Sequence, residues 1–206
     1  MMTKSHLRGL LPLLLLSPLS IALADGRTAQ IAITGDAAPD GNGVLGVNMG
    51  TPVLNNSGEL LFTNLMTGTT GGSTDNLVLL RYSAVTVSQI MREPEPAPDG
   101  NGTIFTFNTD YQLNDSGLAA FRGSLTGTAG GFSDDSGLFT GSGGALTQVA
   151  REGQSDPNGN GVISSFNDEL SLNAAGRVAF EAFFTGTSGG TTDDNGIYAG
   201  SGGSLT

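Results

Sequence analysis

Leu113-Asn-Asp-Ser-Gly-Leu-Ala-Ala-Phe121 returns 59 residues later as Leu172-Asn-Ala-Ala-Gly-Arg-Val-Ala-Phe180, and 59 residues earlier in a weaker form, Asn55-Asn-Ser-Gly-Glu-Leu-Leu-Phe62. The same offset relates Pro39-Asp-Gly-Asn-Gly43, Pro98-Asp-Gly-Asn-Gly102 and Pro157-Asn-Gly-Asn-Gly161. It also relates Thr67, Thr126 and Thr185, and the pairs beginning at Gly71, Gly130 and Gly189. Residues 30–88, 89–147 and 148–206 therefore align without a gap. The second and third copies share 29 of 59 positions and the first and second share 21, far beyond chance. A fixed period of this length marks a repeat architecture.

Within one copy the pattern reads as strands and turns. Ile104–Leu113 is rich in β-branched and aromatic residues and predicts a strand. Asn114-Asp-Ser-Gly117 has Asn first and Gly fourth, as a type I turn prefers. Leu118–Leu125 follows as the second strand. In the third copy Val178, Phe180, Ala182 and Phe184 alternate with Ala179, Glu181 and Phe183, so both faces of that strand carry apolar residues. A Gly-rich acidic loop, Thr126–Asp135, leads to a short third strand at Gly137–Thr140. A turn at Gly141–Gly144 and a fourth strand at Ala145–Arg151 complete the unit. The expected fold is all-β: tandem four-stranded antiparallel meanders, resembling β-propeller blades. Propellers have at least about four blades, so three copies predict an incomplete propeller; a threefold β-trefoil or β-prism is the alternative. Leu205-Thr206 aligns with Leu146-Thr147 inside the fourth strand, and Gln30-Ile31-Ala32 matches Gln148-Val149-Ala150. That match predicts strand exchange in a closed ring; since three blades cannot close alone, the expectation is a partial product of a longer repeat protein, with head-to-tail self-association as the alternative.

The first residues carry an address. Lys4, His6 and Arg8 precede the apolar stretch Leu10–Leu16, and Ala22-Leu23-Ala24 is a small-x-small cleavage site. Residues 1–24 read as a signal peptide, followed by a lead-in at 25–29, and the expected location is extracellular, cell-surface or periplasmic. No later apolar run has membrane length. Lys4 and His6 are the only Lys and His, and the chain has no Cys or Trp. Once the leader is removed, Ser-His-Asp and Cys-His catalysis, thiolate or histidine zinc sites, Schiff bases and disulfides are all excluded. The formal charge of −11 argues against a nucleic-acid surface.

The repeated Asn-x-x-Gly-x-x-Ala-Phe at Asn114–Phe121 and Asn173–Phe180 resembles the bacterial choice-of-anchor tandem repeat family with the NxxGxxAF motif. Ala150-Arg-Glu-Gly153 and the Gly-Gly…Asp-Asp loops share that resemblance, which extends over residues 30–206. The first copy departs from it with Leu61 in place of Ala. The resemblance implies export, tandem repeats and an anchoring segment of the PEP-CTERM kind. It implies no activity.

Candidate sites are few. Asp134, Asp135, Asp193 and Asp194, with the weaker Asp75-Asn76, sit in Gly-rich loops and offer the oxygen ligands that Ca²⁺ uses. A solvated turn in which Asp caps backbone amides is the simpler reading, because the oxygen ligands fall short of the six that Ca²⁺ takes. Asp156-Pro-Asn158-Gly-Asn160-Gly161 resembles the start of an EF-hand loop, but Asn167 stands at the twelfth position and copies one and two begin with Ala38 and Ala97. Carboxylate chemistry would draw on Glu93, Glu152, Glu169 and Glu181; Arg92-Glu93 and Arg151-Glu152 read more simply as surface charge at strand ends. The expected role is non-catalytic: an exported cell-surface or extracellular-matrix interaction or structural module, with surface glycans or matrix proteins as partners and no cofactor other than candidate Ca²⁺. The alternative is a carboxylate-dependent propeller glycan hydrolase or lyase.

Overall fold

The computed structural model describes residues 28–203. The leader at 1–24, the start of the lead-in and residues 204–206 lie outside the described residues.

Three antiparallel sheets follow one another along the chain. The first contains β1 (Val44–Met49), β2 (Val53–Leu54), β3 (Leu60–Thr67), β4 (Leu77–Ser83) and β5 (Thr86–Arg92), in the order β1-β3-β4-β5 with β2 also on β3. The second contains β6 (Glu95–Pro96), β7 (Thr103–Phe107), β8 (Gln112–Leu113), β9 (Ala119–Thr126), β10 (Ser136–Gly141) and β11 (Thr147–Arg151), in the order β11-β10-β9-β7-β6 with β8 on β9. The third is β12 (Val162–Leu172), β13 (Val178–Thr185) and β14 (Asn195–Gly200), in that order. The central strands begin at residues 60, 119 and 178, one sequence period apart. The fold is all-β, built of blade-like meanders. β5 runs across residue 88 and β11 across residue 147, so the first and second sheets each take a strand partly from the start of the next repeat frame.

Each hairpin between the first and central strands closes at its Asn-x-x-Gly turn. The Asn114 side-chain carbonyl accepts from the backbone N–H of Ser116 (3.1 Å) and Leu118 (3.0 Å). Gly117 sits at φ 78°, a conformation that costs a residue with a Cβ.

One expected strand is broken. Ile104–Leu113 divides into β7 and β8 because the ladder is interrupted after Asn108, whose N–H still donates to the Arg122 carbonyl (3.0 Å), and resumes at Gln112. Tyr111 turns into the core, and its hydroxyl donates to the carbonyl of Thr51, in the connection between β1 and β2. In the third sheet the same region stays continuous as β12, but its register shifts between Phe166 and Leu170.

The sheets pack face to face in series. Leu61, Leu79, Ile90 and Met91 of the first join Ile104, Phe121 and Phe139 of the second in one buried cluster. Ala120, Leu138 and Val149 of the second join Val178, Phe180 and Phe184 of the third in another. The other face of the first sheet, with Phe62, Met66 and Leu80, is buried with Ala38 and Leu45, and Ala32 packs on it. Of residues 31–32, Ala32 thus packs on the first sheet. Among the described residues no hydrogen bond joins them to the third, as strand exchange would require. None joins the first sheet to the third either, as a closed threefold arrangement would.

Candidate functional site

Two loops of each repeat meet to form one structure. The Asn of Pro-Asp/Asn-Gly-Asn-Gly lies 33 residues before the loop Asp, and its side-chain amide donates to that carboxylate: Asn42 to Asp75 at 2.9 Å, Asn101 to Asp134 at 2.8 Å and Asn160 to Asp193 at 2.9 Å. The amide oxygen of each Asn accepts a backbone N–H from the same loop, of Thr70, Ala129 and Ser188, all at 2.8 Å. Each carboxylate oxygen also accepts the N–H of Gly71, Gly130 or Gly189, at 2.9–3.1 Å. A Cβ on Gly130 would come within 2.8 Å of the Asp134 carboxyl carbon, so the loop closes only around glycine. Thr69, Thr128 and Thr187 brace the turn by donating to the carbonyls of Gly72, Gly131 and Gly190.

These hydrogen bonds hold the loop carboxylates in their charged form. Asp75 and Asp134 lie below the usual carboxylate range mainly through the neighbouring Thr69 and Thr128 hydroxyls, then through the Asn42 and Asn101 amides; Asp193 lies below it mainly through Asn160.

A buried arginine ties this cluster to the fourth strand. Arg151, with a side chain only 4 % exposed, donates to both Asp99 carboxylate oxygens (3.0 Å each) and to the carbonyls of Asp134 (2.9 Å) and Asn101 (2.7 Å). Arg92 repeats the arrangement with Asp40 and the carbonyl of Asp75. These arginines and the glutamates beside them are buried, contrary to their reading as strand-end surface charge. Their partners lie 52 residues away in sequence, and only the sheet register joins them.

Glu93 accepts the N–H of Leu77 (2.9 Å), and burial raises its pKa. Glu152 is pushed up to about 7, first by burial, then by a hydrogen bond to Asp135 and by its charge. The first sheet has neutral Asn76 in place of that second acid. Glu152 Oε2, Asp134 Oδ1 and Gln148 Oε1 are buried without a hydrogen-bond partner among the described residues, and all three residues line a cleft of about 440 Å³.

The four aspartates singled out in the loops therefore divide. Asp134 and Asp193 clamp N–H donors. The backbone carbonyls of Asp135 and Asp194 each accept from the central strand, from Leu125 and Phe184 (2.6 Å). Among the described residues, no three acidic or histidine side chains gather closely enough to hold a metal ion. Asp156 of the EF-hand-like stretch is buried; it accepts the Asn158 N–H (3.1 Å) and the Tyr198 hydroxyl (2.7 Å). Burial, with the hydrogen bond to Asp156 and its charge, pushes Tyr198 up to about 12.

A second cleft, also about 440 Å³, brings Glu169 and Glu181 together with Asp110, which sequence reading passed over. Glu181 accepts the Asn167 amide at 2.7 Å. Asp110 belongs to the segment that interrupts the first strand of the second sheet, and no sequence signal placed it beside the third. Among the described residues, no helix is long and apolar enough to cross a membrane.

The chain belongs to DUF7453, a family of unknown function, whose family model matches residues 17–205. No curated protein matches the chain, and no solved structure does.

Proposed function

We propose that this member of a family without an assigned activity is a non-catalytic, exported interaction module of the cell surface or extracellular matrix. The observation that carries the reading is the triplicated clamp. In the loops where reactive groups would be sought, Asn, Asp and Thr are occupied in holding the backbone, in the same way three times. Such loops suit display on a rigid scaffold. Phe132 stands at the tip of the second loop, 96 % exposed, where the other copies have Ser73 and Thr191. An aromatic ring fully in water is poised for contact with an apolar face, such as that of a sugar ring. The leader supports export, and surface glycans or matrix proteins are the partners that fit.

The test is binding of the mature chain to a panel of extracellular polysaccharides and matrix proteins. Phe132→Ala weakens capture ~10-fold, the loss of about 1.4 kcal/mol, while Asp110→Asn, Glu169→Gln and Glu181→Gln each leave it unchanged. A second reading, a carboxylate-dependent glycan hydrolase or lyase, draws on the cleft shared by Asp110, Glu169 and Glu181. Turnover of a polysaccharide that one of those three substitutions abolishes would establish it and refute the first.

A further inference from the structure

The serial packing of the sheets uses the same positions at each step. Leu61 and Leu79 of the first sheet lie in the cluster shared with the second; their counterparts one period on, Ala120 and Leu138, lie in the cluster shared with the third. One period further the positions are Ala179 and Ile197. Ile197 is 77 % exposed, where Leu79 and Leu138 are 0 % and 1 %. Phe183 stands in the same row, exposed to the same degree as its first-sheet counterpart Leu65, so the difference between covered and uncovered sheets rests on Ile197.

The polar positions repeat as well. Asn55 donates its amide to the carbonyl of Asn114 (2.8 Å), and Asn114 donates to that of Asn173 (3.0 Å). Among the described residues the Asn173 amide has no acceptor. Asn108 and Arg122 of the second sheet both reach across to Asp168 of the third, at 2.9 and 2.6 Å. Their counterparts, Asn167 and Glu181, bond to each other instead.

We infer that the outer face of the third sheet, with Ala179, Phe183 and Ile197, is a docking surface for a further sheet of this same repeat type. The occupant is defined by continuity with the two interfaces already formed. It presents an apolar row like that of Val178 and Phe180, and a turn whose carbonyl accepts the Asn173 amide. A second copy of this chain fits less well, because the matching row on its first sheet, Phe62, Met66 and Leu80, is already buried with Ala38 and Leu45. The cleft at Glu181 and Ile197 is then the floor on which the incoming sheet rests. The inference does not depend on what the loops bind.

The chain has no native cysteine, so Ile197→Cys supplies a single thiol. The test compares its labelling by a thiol reagent in the mature chain and in that chain extended after Thr206 by a second copy of residues 148–206, which continues the period. The inference expects ready labelling of the unextended chain and at least ~10-fold slower labelling of the extended one, restored in urea. Unfolding provides a second readout. Ile197→Asp changes the unfolding equilibrium constant of the unextended chain less than ~3-fold, as a surface substitution should, and that of the extended chain at least ~30-fold. Equal labelling rates, or equal effects of Ile197→Asp, overturn the inference. Concentration-dependent dimerisation of the unextended chain that Ile197→Asp abolishes also overturns it, by making a second copy the occupant.

Discussion

Replacing Arg151 by Lys keeps the positive charge and removes the planar fork. Arg151 makes four hydrogen bonds to three acceptor groups: the Asp99 carboxylate, the Asp134 carbonyl and the Asn101 carbonyl. A lysine ammonium on a flexible stem can reach one of these groups at a time from the same buried position. Two groups then lose charge-assisted bonds worth about 1.5–3 kcal/mol each. Partial rehydration at the rim offsets some of that loss, since the Asp99 side chain is 36 % exposed. The net expectation is a loss of about 2–4 kcal/mol for Arg151→Lys, against about 1 kcal/mol for Asp99→Asn, which leaves both carbonyl bonds in place. Urea unfolding monitored by tyrosine fluorescence and by circular dichroism measures both, with an unchanged denaturant slope showing that the native state stays compact. A stability change for Arg151→Lys within about 0.5 kcal/mol, the range of ordinary surface substitutions, would refute the claim that this fork joins the loops to the fourth strand.

Glu152 holds its proton more tightly folded than unfolded, so its contribution to stability is full at low pH and is lost as the pH rises from about 4.5 to about 7. Allowing for solvent screening, the fall is about 1–2 kcal/mol; Glu152→Gln flattens the stability profile over that interval, and an unaltered profile rejects the assignment. Ala84 and Val85 occupy the turn between β4 and β5 at φ 48° and 65°, where the second copy has Gly143 and Gly144. Val85 is 88 % exposed and has little packing to lose, so Val85→Gly stabilises by about 0.5–1 kcal/mol after the entropy cost of glycine; a lower melting temperature contradicts the strain. Asn114→Asp keeps the acceptor that closes its own turn but loses the donor to Asn173, and a destabilisation of about 1–2 kcal/mol follows from losing that partly buried bond. Asn173→Asp, which has no such bond to lose among the described residues, serves as its control and changes stability by less than about 0.5 kcal/mol.

The 59-residue period, the Asn-x-x-Gly turns and the alternation along β13 are local or self-similar features, and sequence alone decided them. A turn with Asn first and Gly fourth needs only its own neighbours, so the meander of strands was legible before any packing was known. The apolar residues on both faces of Val178–Phe184 also showed that each sheet needs neighbours on two sides.

Sequence could not decide which polar residues would meet. Asn101 and Asp134 are 33 residues apart, and Arg151 and Asp99 are 52 apart. Their contact depends on the register of β10 with β11 and on where the two loops emerge from the sheet. Arg-Glu steps therefore looked like surface charge until the loops closed over them, and the loop aspartates looked available until their N–H donors were in place. The break between Asn108 and Gln112 has the same origin, since Tyr111 turns inward to reach the Thr51 carbonyl between β1 and β2. Ile197 shows the limit most directly. Its residue type matches that of its buried counterparts, Leu79 and Leu138, and only the stacking order decides that they are covered while it faces solvent.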